Sequence, residues 1–236
     1  MVKFRGFAMT INIGRNDHGD RKADTVRRIN APIGGSLKRC FDFIFAATAL
    51  LALLPLLLII SVLLRCFDKG PVFFVHQRIG FGGKPFGCFK FRTMVVDAEI
   101  KLSELLAADP AAREEFERNQ KLKHDPRVVP VIGPFLRSSS LDELPQFVNV
   151  LLGHMSVVGP RPVTGSEFKK YGSMRTSYMS VRPGITGLWQ VSGRNGTTFE
   201  ERVAIDKRYI QQWSMNLDLK IIWKTFEVVS RREGAY

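Results

Sequence analysis

Two neighbouring carboxylates, Asp142 and Glu143, lie within the stretch SSSLDELPQFVNVLLGHMSVVGPRP at positions 138–162. Arginines surround them in sequence. Arg137 comes just before the pair, Arg161 sits in the Pro-Arg-Pro corner after it, and Arg182 opens RPGITGLWQVSGR, a glycine-rich stretch that closes with Arg194. A carboxylate among arginines is held ionised, and each guanidinium offers two parallel donors to a phosphate oxygen pair. Beside a divalent metal and a bound diphosphate, such a carboxylate can attack phosphorus or orient the metal. Upstream, Lys90 and Arg92 stand two residues apart in FKFRTM. On a strand they share one face, and two cations on one face suit a diphosphate as well as lipid headgroups.

The acid pair also has a purely structural reading. Ser140-Leu-Asp-Glu143 fits a capping box, with Ser140 as N-cap and Glu143 reaching back to its amide. Acidic residues in a first turn also complement the helix dipole. Pro145 competes with this reading, since a helix that takes a proline at its first position begins nearer Leu144. Phe147, Val150, Leu151 and Met155 then fall at helical spacing, as a stripe for the core or the membrane.

The elements that must position this chemistry begin at a membrane. The chain has 236 residues and a formal charge of +13, which suits an anionic partner. Residues 1–35 have no periodicity and read as a flexible basic tail; through Arg39 there are nine basic residues against three acidic ones. Residues 36–66 form the membrane segment. Its apolar run FIFAATALLALLPLLLIISVLL (43–64) carries no charge, and about 20 such residues cover a hydrocarbon core of ~30 Å. Lys38 and Arg39 flank one end; Arg65, Lys69 and Arg78 follow the other. Both flanks therefore qualify for the cytoplasmic side. Pro55 removes a backbone hydrogen bond in mid-run. A bent helix that re-enters the same leaflet and a single-pass helix with a tolerated proline both remain open.

Residues 67–236 supply the catalytic part. GPVFFVHQRIGFGGKPFGCFKFRTM (70–94) reads as short strands with a hairpin at Gly82-Gly83. Val95 to Lys123 reads as two solvated helices broken at Asp109-Pro110, with Glu104, Glu114 and Glu115 on the surface. FEERVAIDKRYIQQW (199–213) and LDLKIIWKTFEVVS (217–230) read as two further helices. Tyr209, Trp213 and Trp223 there are either interfacial anchors or core. Cys40, Cys66 and Cys88 have neither zinc spacing nor a disulfide pattern. The fold class is α+β, mainly α-helical: a membrane helix followed by a cytosolic-face domain of interfacial amphipathic helices and short strands.

PVFFVHQRIGFGGKPFGCFKFRTM, LRSSSLDELPQFVNVLLGHMSVVGPRP and VRPGITGLWQVSGR, in that order behind a basic-flanked apolar run, resemble the bacterial sugar transferases. These are monotopic polyprenyl-phosphate phosphoglycosyl transferases, and the resemblance covers Ser36 to Arg232. The opening IGGSLKRCFDFIFAATALLALLP is similar to rhizobial enzymes that start exopolysaccharide repeats with galactose phosphate. The resemblance implies transfer of a sugar-1-phosphate from a UDP-sugar to undecaprenyl phosphate in the bacterial inner membrane, with Mg²⁺ and release of UMP. It makes Asp142 the nucleophile, with Glu143 holding the metal or orienting Asp142, and it makes Arg137 and Arg161 phosphate ligands. It also implies a re-entrant helix bent at Pro55, although Leu54 stands where many relatives carry serine. Downstream glycosyltransferases are further partners it suggests.

Two other readings stand beside this one. A non-catalytic membrane module binding polyprenyl-linked intermediates in an assembly complex would keep the anchor and the basic surface without needing Asp142. A nucleic-acid-binding protein is set aside, because the chain shows no recognition helix or stacking-aromatic motif.

Overall fold

The computed structural model describes residues 31–119, 122–192 and 197–230. The basic tail, apart from its last residues, and Arg194 lie outside them. The first element, α1 (Gly35–Phe67), is one 33-residue helix that runs through Pro55. It is also the one helix among the described residues long and apolar enough to cross a membrane. A hairpin follows, β1 (Phe73–Ile79) and β2 (Pro85–Phe91), antiparallel with Phe74 opposite Lys90 and Arg78 opposite Phe86. Its turn needs Gly82 and Gly83, both at positive φ, where glycine has no side chain to clash.

Helices α2 (Ala98–Ala108) and α3 (Pro110–Asn119) follow, and the Asp109 carboxylate accepts from the amides of Ala111 and Ala112 at the break. Glu104 and Glu114 are exposed and Glu115 is half-buried. Next come α4 (Ile132–Ser139), a 3-10 turn at Leu141–Glu143, α5 (Gln146–Leu151) and β3 (Ser156–Val158). Short helices α6 (Gly165–Lys170) and α7 (Arg175–Met179) lead to β4 (Gly184–Thr186), which pairs in parallel with β3. The chain closes with α8 (Leu188–Ser192), α9 (Phe199–Gln211) and α10 (Met215–Ser230). Among the described residues the molecule is mainly helical with two small two-stranded sheets, as the α+β reading anticipates.

Both ends of α1 are fastened to this body. At its start, Lys38 bonds to Asp218 of α10 at 2.5 Å, and Arg39 donates to the carbonyls of Val150 and Leu151 at 2.5 and 2.7 Å. Asp42 accepts from the Ser156 hydroxyl and the Val157 amide at 2.9 and 3.0 Å. At its far end Ile60 and Leu64 enter a cluster with Phe91, Val129, Ile132 and Leu136. Between these anchorages Leu51, Leu54, Leu58 and Ile59 are at least half exposed.

The main core joins Ala46 of α1 to Val150, Met155, Val157, Val158, Tyr209 and Ile221. The stripe after the acid pair is therefore core: Val150 and Met155 are fully buried, while Phe147 and Leu151 pack against them. Tyr209 is core and Trp213 packs on it, whereas Trp223 is 71% exposed.

Candidate active site

The acid pair stands on the 3-10 turn between α4 and α5. No capping box forms there. Ser140 takes a left-handed conformation (φ 57°) and makes no side-chain cap bond. Its carbonyl instead accepts from the Glu143 amide at 3.2 Å, and the Leu144 amide bonds back to Leu141 at 3.3 Å. Helix α5 begins after Pro145 (φ −61°), whose missing N–H costs nothing at that position. The two carboxylates of this separate turn both lie within reach of one cation.

That cation comes from β2. Lys90 Nζ bonds to Glu143 at 2.6 Å and stands 3.7 Å from Asp142. Arg161, from the Pro-Arg-Pro corner, approaches Glu143 at 3.6 Å. Burial pushes the Asp142 carboxyl up to about 6; Lys90 is the chief opposing influence, Glu143 raises it further, and Arg137 and Arg161 lower it. A cleft lined by Lys90, Glu143, Gln146, Arg161, Pro162, Ile185, Cys88 and Arg78 opens beside the pair.

The structure therefore brings together Asp142, Glu143, Lys90, Arg161 and, through its charge, Arg137. It does not bring Arg92 or Arg182 to them. Arg92 lies one residue past the end of β2, turned back to the membrane-helix exit, where it bonds to Asp68 and to the Pro71 carbonyl, both at 2.5 Å. It does not share the face that Lys90 uses. Arg182 donates to the Gly153 carbonyl at 2.8 Å. Burial lowers its proton affinity and the nearby Arg39 lowers it further. In these places Arg92 and Arg182 hold backbone together.

Sequence reasoning missed three residues. Asn149, fully buried on α5, accepts from the Phe89 amide at 2.9 Å and donates to the Gly87 carbonyl at 2.7 Å. This side chain locks the dyad's helix to the strand carrying Lys90. Gln146 and Arg78 line the cleft. For Gln146 the signal was its place four residues after Asp142; Arg78 showed only as one more basic residue.

The walls require close backbone approach. A Cβ on Gly184 would meet the Gly159 nitrogen at 2.1 Å, and one on Gly187 would meet the Gly159 carbonyl at 2.2 Å. The glycines of VGPRP and RPGITG thus let β3 and β4 carry Arg161 and Ile185 to one cleft.

The family model described as bacterial sugar transferase matches residues 33–232. The exopolysaccharide production protein ExoY of Sinorhizobium fredii is 48% identical over 205 residues, covering 87% of this chain and 90% of that protein. An undecaprenyl-phosphate galactose phosphotransferase of Salmonella typhimurium is 47% identical over 200 residues, which is 85% of this chain and 42% of that one. A UDP-glucose:undecaprenyl-phosphate glucose-1-phosphate transferase of Escherichia coli is 40% identical, over 80% of this chain and 39% of that one. With matched residues running from the foot of α1 through the acid pair to the end of α10, the chain belongs to the bacterial sugar transferase family.

Proposed function

We propose that this chain transfers a hexose-1-phosphate, of galactose or glucose, from a UDP-sugar to undecaprenyl phosphate and releases UMP, as the first step of an exopolysaccharide or capsule repeat. One observation carries the reading. A poorly solvated carboxylate, Asp142, is flanked by Glu143, Lys90, Arg161 and Arg137 on a body fastened to an apolar helix. The relatives named for transfer to undecaprenyl phosphate support the acceptor.

In the first step an Asp142 carboxylate oxygen bonds to the β-phosphorus of the donor. The bond from that phosphorus to the bridging oxygen breaks, and UMP departs with the electron pair. In the second step a phosphate oxygen of the lipid attacks the same phosphorus and frees the carboxylate. Desolvation keeps Asp142 a reactive oxygen nucleophile, while Lys90 opposes its protonation. Glu143, bonded to Lys90, fixes the cation between the two acids. Asp142 and Glu143 are the residues that would hold Mg²⁺. Two carboxylates suffice when waters and diphosphate oxygens complete its shell, and no group of three candidate ligands occurs among the described residues. Once bound, the ion would offset diphosphate charge.

The anchor reads as a re-entrant helix. A straight 33-residue helix is about 50 Å long, so a full span would carry its ends to opposite faces of a ~30 Å core. Here Lys38 and Leu64, near the two ends, are both buried against the same body. This favours placing both ends and the active site at the cytoplasmic face of the inner membrane. On α10, Leu219, Trp223 and Phe226 are exposed at helical spacing, which supports its lying in the headgroup layer.

The test uses purified protein in detergent with undecaprenyl phosphate, Mg²⁺ and a panel of UDP-sugars, reading UMP. UMP formed with UDP-galactose or UDP-glucose and lost in Asp142→Asn is the expected result. Equal UMP from wild type and variant would remove Asp142 from the nucleophile's role.

A further inference from the structure

The charged side chains from the acid pair outward form a row: Asp142, Lys90, Glu143, Arg161, Arg78, Glu167, Arg202. Neighbouring signs alternate from Asp142 through Arg161, with contacts of 3.7, 2.6 and 3.6 Å. They alternate again from Arg78 through Glu167 to Arg202, at 3.3 and 3.4 Å. The alternation breaks between Arg161 and Arg78. These two cations adjoin, and both line the cleft beside the dyad.

Arg78 is an unusual cation for so enclosed a position. Its side chain is 16% exposed. Its contacts are the Glu167 carboxylate and the Pro162 carbonyl, each at 3.3 Å, and His76 Nδ1 at 3.2 Å. All are longer than the 2.7–2.9 Å typical of charge-assisted bonds. Glu167 Oε2 makes its shorter bonds elsewhere, to the Thr164 amide at 2.8 Å and the Thr164 hydroxyl at 3.0 Å, as part of the capping box of α6. Burial lowers the proton affinity of Arg78, Glu167 opposes this in part, and the neighbouring Arg161 lowers it further. An anion set between two such cations restores alternation along the row and compensates both.

We propose that the space between Arg161 and Arg78 is an anion subsite that takes the donor's α-phosphate, with Arg78 as a direct phosphate ligand and Glu167 as the residue that positions it. The inference rests on the donor reading given above. As the β-phosphorus bonds to Asp142, the bridging oxygen leaves with its electron pair, and negative charge accumulates on the α-phosphate. Two guanidiniums at that place stabilise the departing UMP, where transition-state charge exceeds ground-state charge. Lys90 lies beyond Glu143 in the row, toward Asp142, which leaves the β-phosphate to that cation.

The experiment measures binding of UMP, uridine and inorganic pyrophosphate to the full-length protein in detergent, alongside UMP release from the UDP-sugar. It compares wild type, Arg78→Gln, Arg78→Lys and Glu167→Gln. The expected result is a loss of tenfold or more in affinity for UMP and pyrophosphate with Arg78→Gln, little change for uridine, and partial recovery with Arg78→Lys. Glu167→Gln should raise KM for the donor more than it lowers kcat. A thermal midpoint for Arg78→Lys near the wild-type value separates binding from folding. If Arg78→Gln and Arg78→Lys bind UMP and turn over as wild type does, the subsite is overturned and the donor reading stands. If wild type turns over no UDP-sugar yet binds pyrophosphate through Arg78, the donor reading fails and the anion subsite stands.

Discussion

Lys90 Nζ lies 2.6 Å from Glu143 and 3.7 Å from Asp142, so one cation serves two acids unequally. Glu143 receives the bond, and Asp142 receives only the field. On the proposed reading of Asp142 as nucleophile, the acid that is bonded less is the one left to react. Replacing Lys90 with Met removes the leading influence that holds Asp142 ionised. The acid limb of the kcat/KM profile for UMP release should then move to higher pH, with turnover at neutral pH reduced at least tenfold. An unmoved acid limb would show that Asp142 does not titrate under the control of Lys90.

Asp142 should be a stability cost that function requires. Its carboxyl is raised to about 6 in the folded protein from an ordinary value of 3.8. The penalty is therefore fully present above pH 6 and disappears as pH falls toward 4, where both states are protonated. At about 1.4 kcal/mol per unit, Asp142→Asn should stabilise the metal-free protein by on the order of 3 kcal/mol at pH 8. Thermal denaturation with a chelator present should show a gain of several degrees at pH 8 that shrinks between pH 6 and 4. A variant equal to wild type at pH 8 contradicts this.

Asn149 couples the two halves of the site through a pair of backbone bonds. Asn149→Ala would leave the buried Phe89 amide and Gly87 carbonyl without these partners, at about 1–3 kcal/mol each. Denaturant unfolding should report a loss of roughly 2–5 kcal/mol. In whatever fraction stays folded, kcat should drop more than donor affinity, because Lys90 is no longer held against the dyad.

Left-handed Ser140 gives a prediction of opposite sign. A non-glycine residue at φ 57° is strained, so Ser140→Gly should relieve that strain in the folded state. Glycine's greater freedom in the unfolded chain offsets part of the gain. Stability should rise by up to about 1 kcal/mol, while kcat falls severalfold as the turn carrying Asp142 becomes less restricted. A clear fall in stability would mean that the serine makes a contribution beyond its backbone shape.

Trp223 and Phe226 are 71% and 62% exposed. Changing both to Ser should leave the thermal midpoint in detergent within about 1 °C of wild type. Turnover on vesicles carrying undecaprenyl phosphate should drop severalfold relative to turnover in micelles. Equal losses in both would place these rings in the fold's stability.

Much of this was legible beforehand because period and punctuation carry it. The apolar run, the hairpin turn at Gly82-Gly83, the break at Asp109-Pro110 and the two C-terminal helices all emerged near their expected bounds. The acid pair could be picked out, but not its local geometry. The capping-box pattern at Ser140 is a statement about spacing, and spacing does not reveal that Ser140 turns left-handed while Pro145 starts the helix. Arg92 and Arg182 match the type of a phosphate ligand, yet each is taken by chain brought close in the fold, Asp68 and Pro71 in one case and Gly153 in the other. Arg78 was hidden for the converse reason. The role proposed for it comes from standing beside Arg161, 83 positions later in the chain.

The bond from Lys38 to Asp218 joins residues 180 apart, and this sets the order in which the protein can be made. Chains emerge from the ribosome N-terminus first. The apolar helix must therefore meet the membrane while the buried partner of its basic foot is still untranslated. Until α10 is made Lys38 stays solvated or rests on anionic headgroups. Only when α10 arrives, with Asp218 already aligned by Tyr209 and Trp213 at 2.8 and 3.1 Å, can the foot of the helix be drawn into the protein. Helix α10 is thus the clasp on α1, and a ribosome halted before it would leave an inserted but unclasped chain for proteolysis to find.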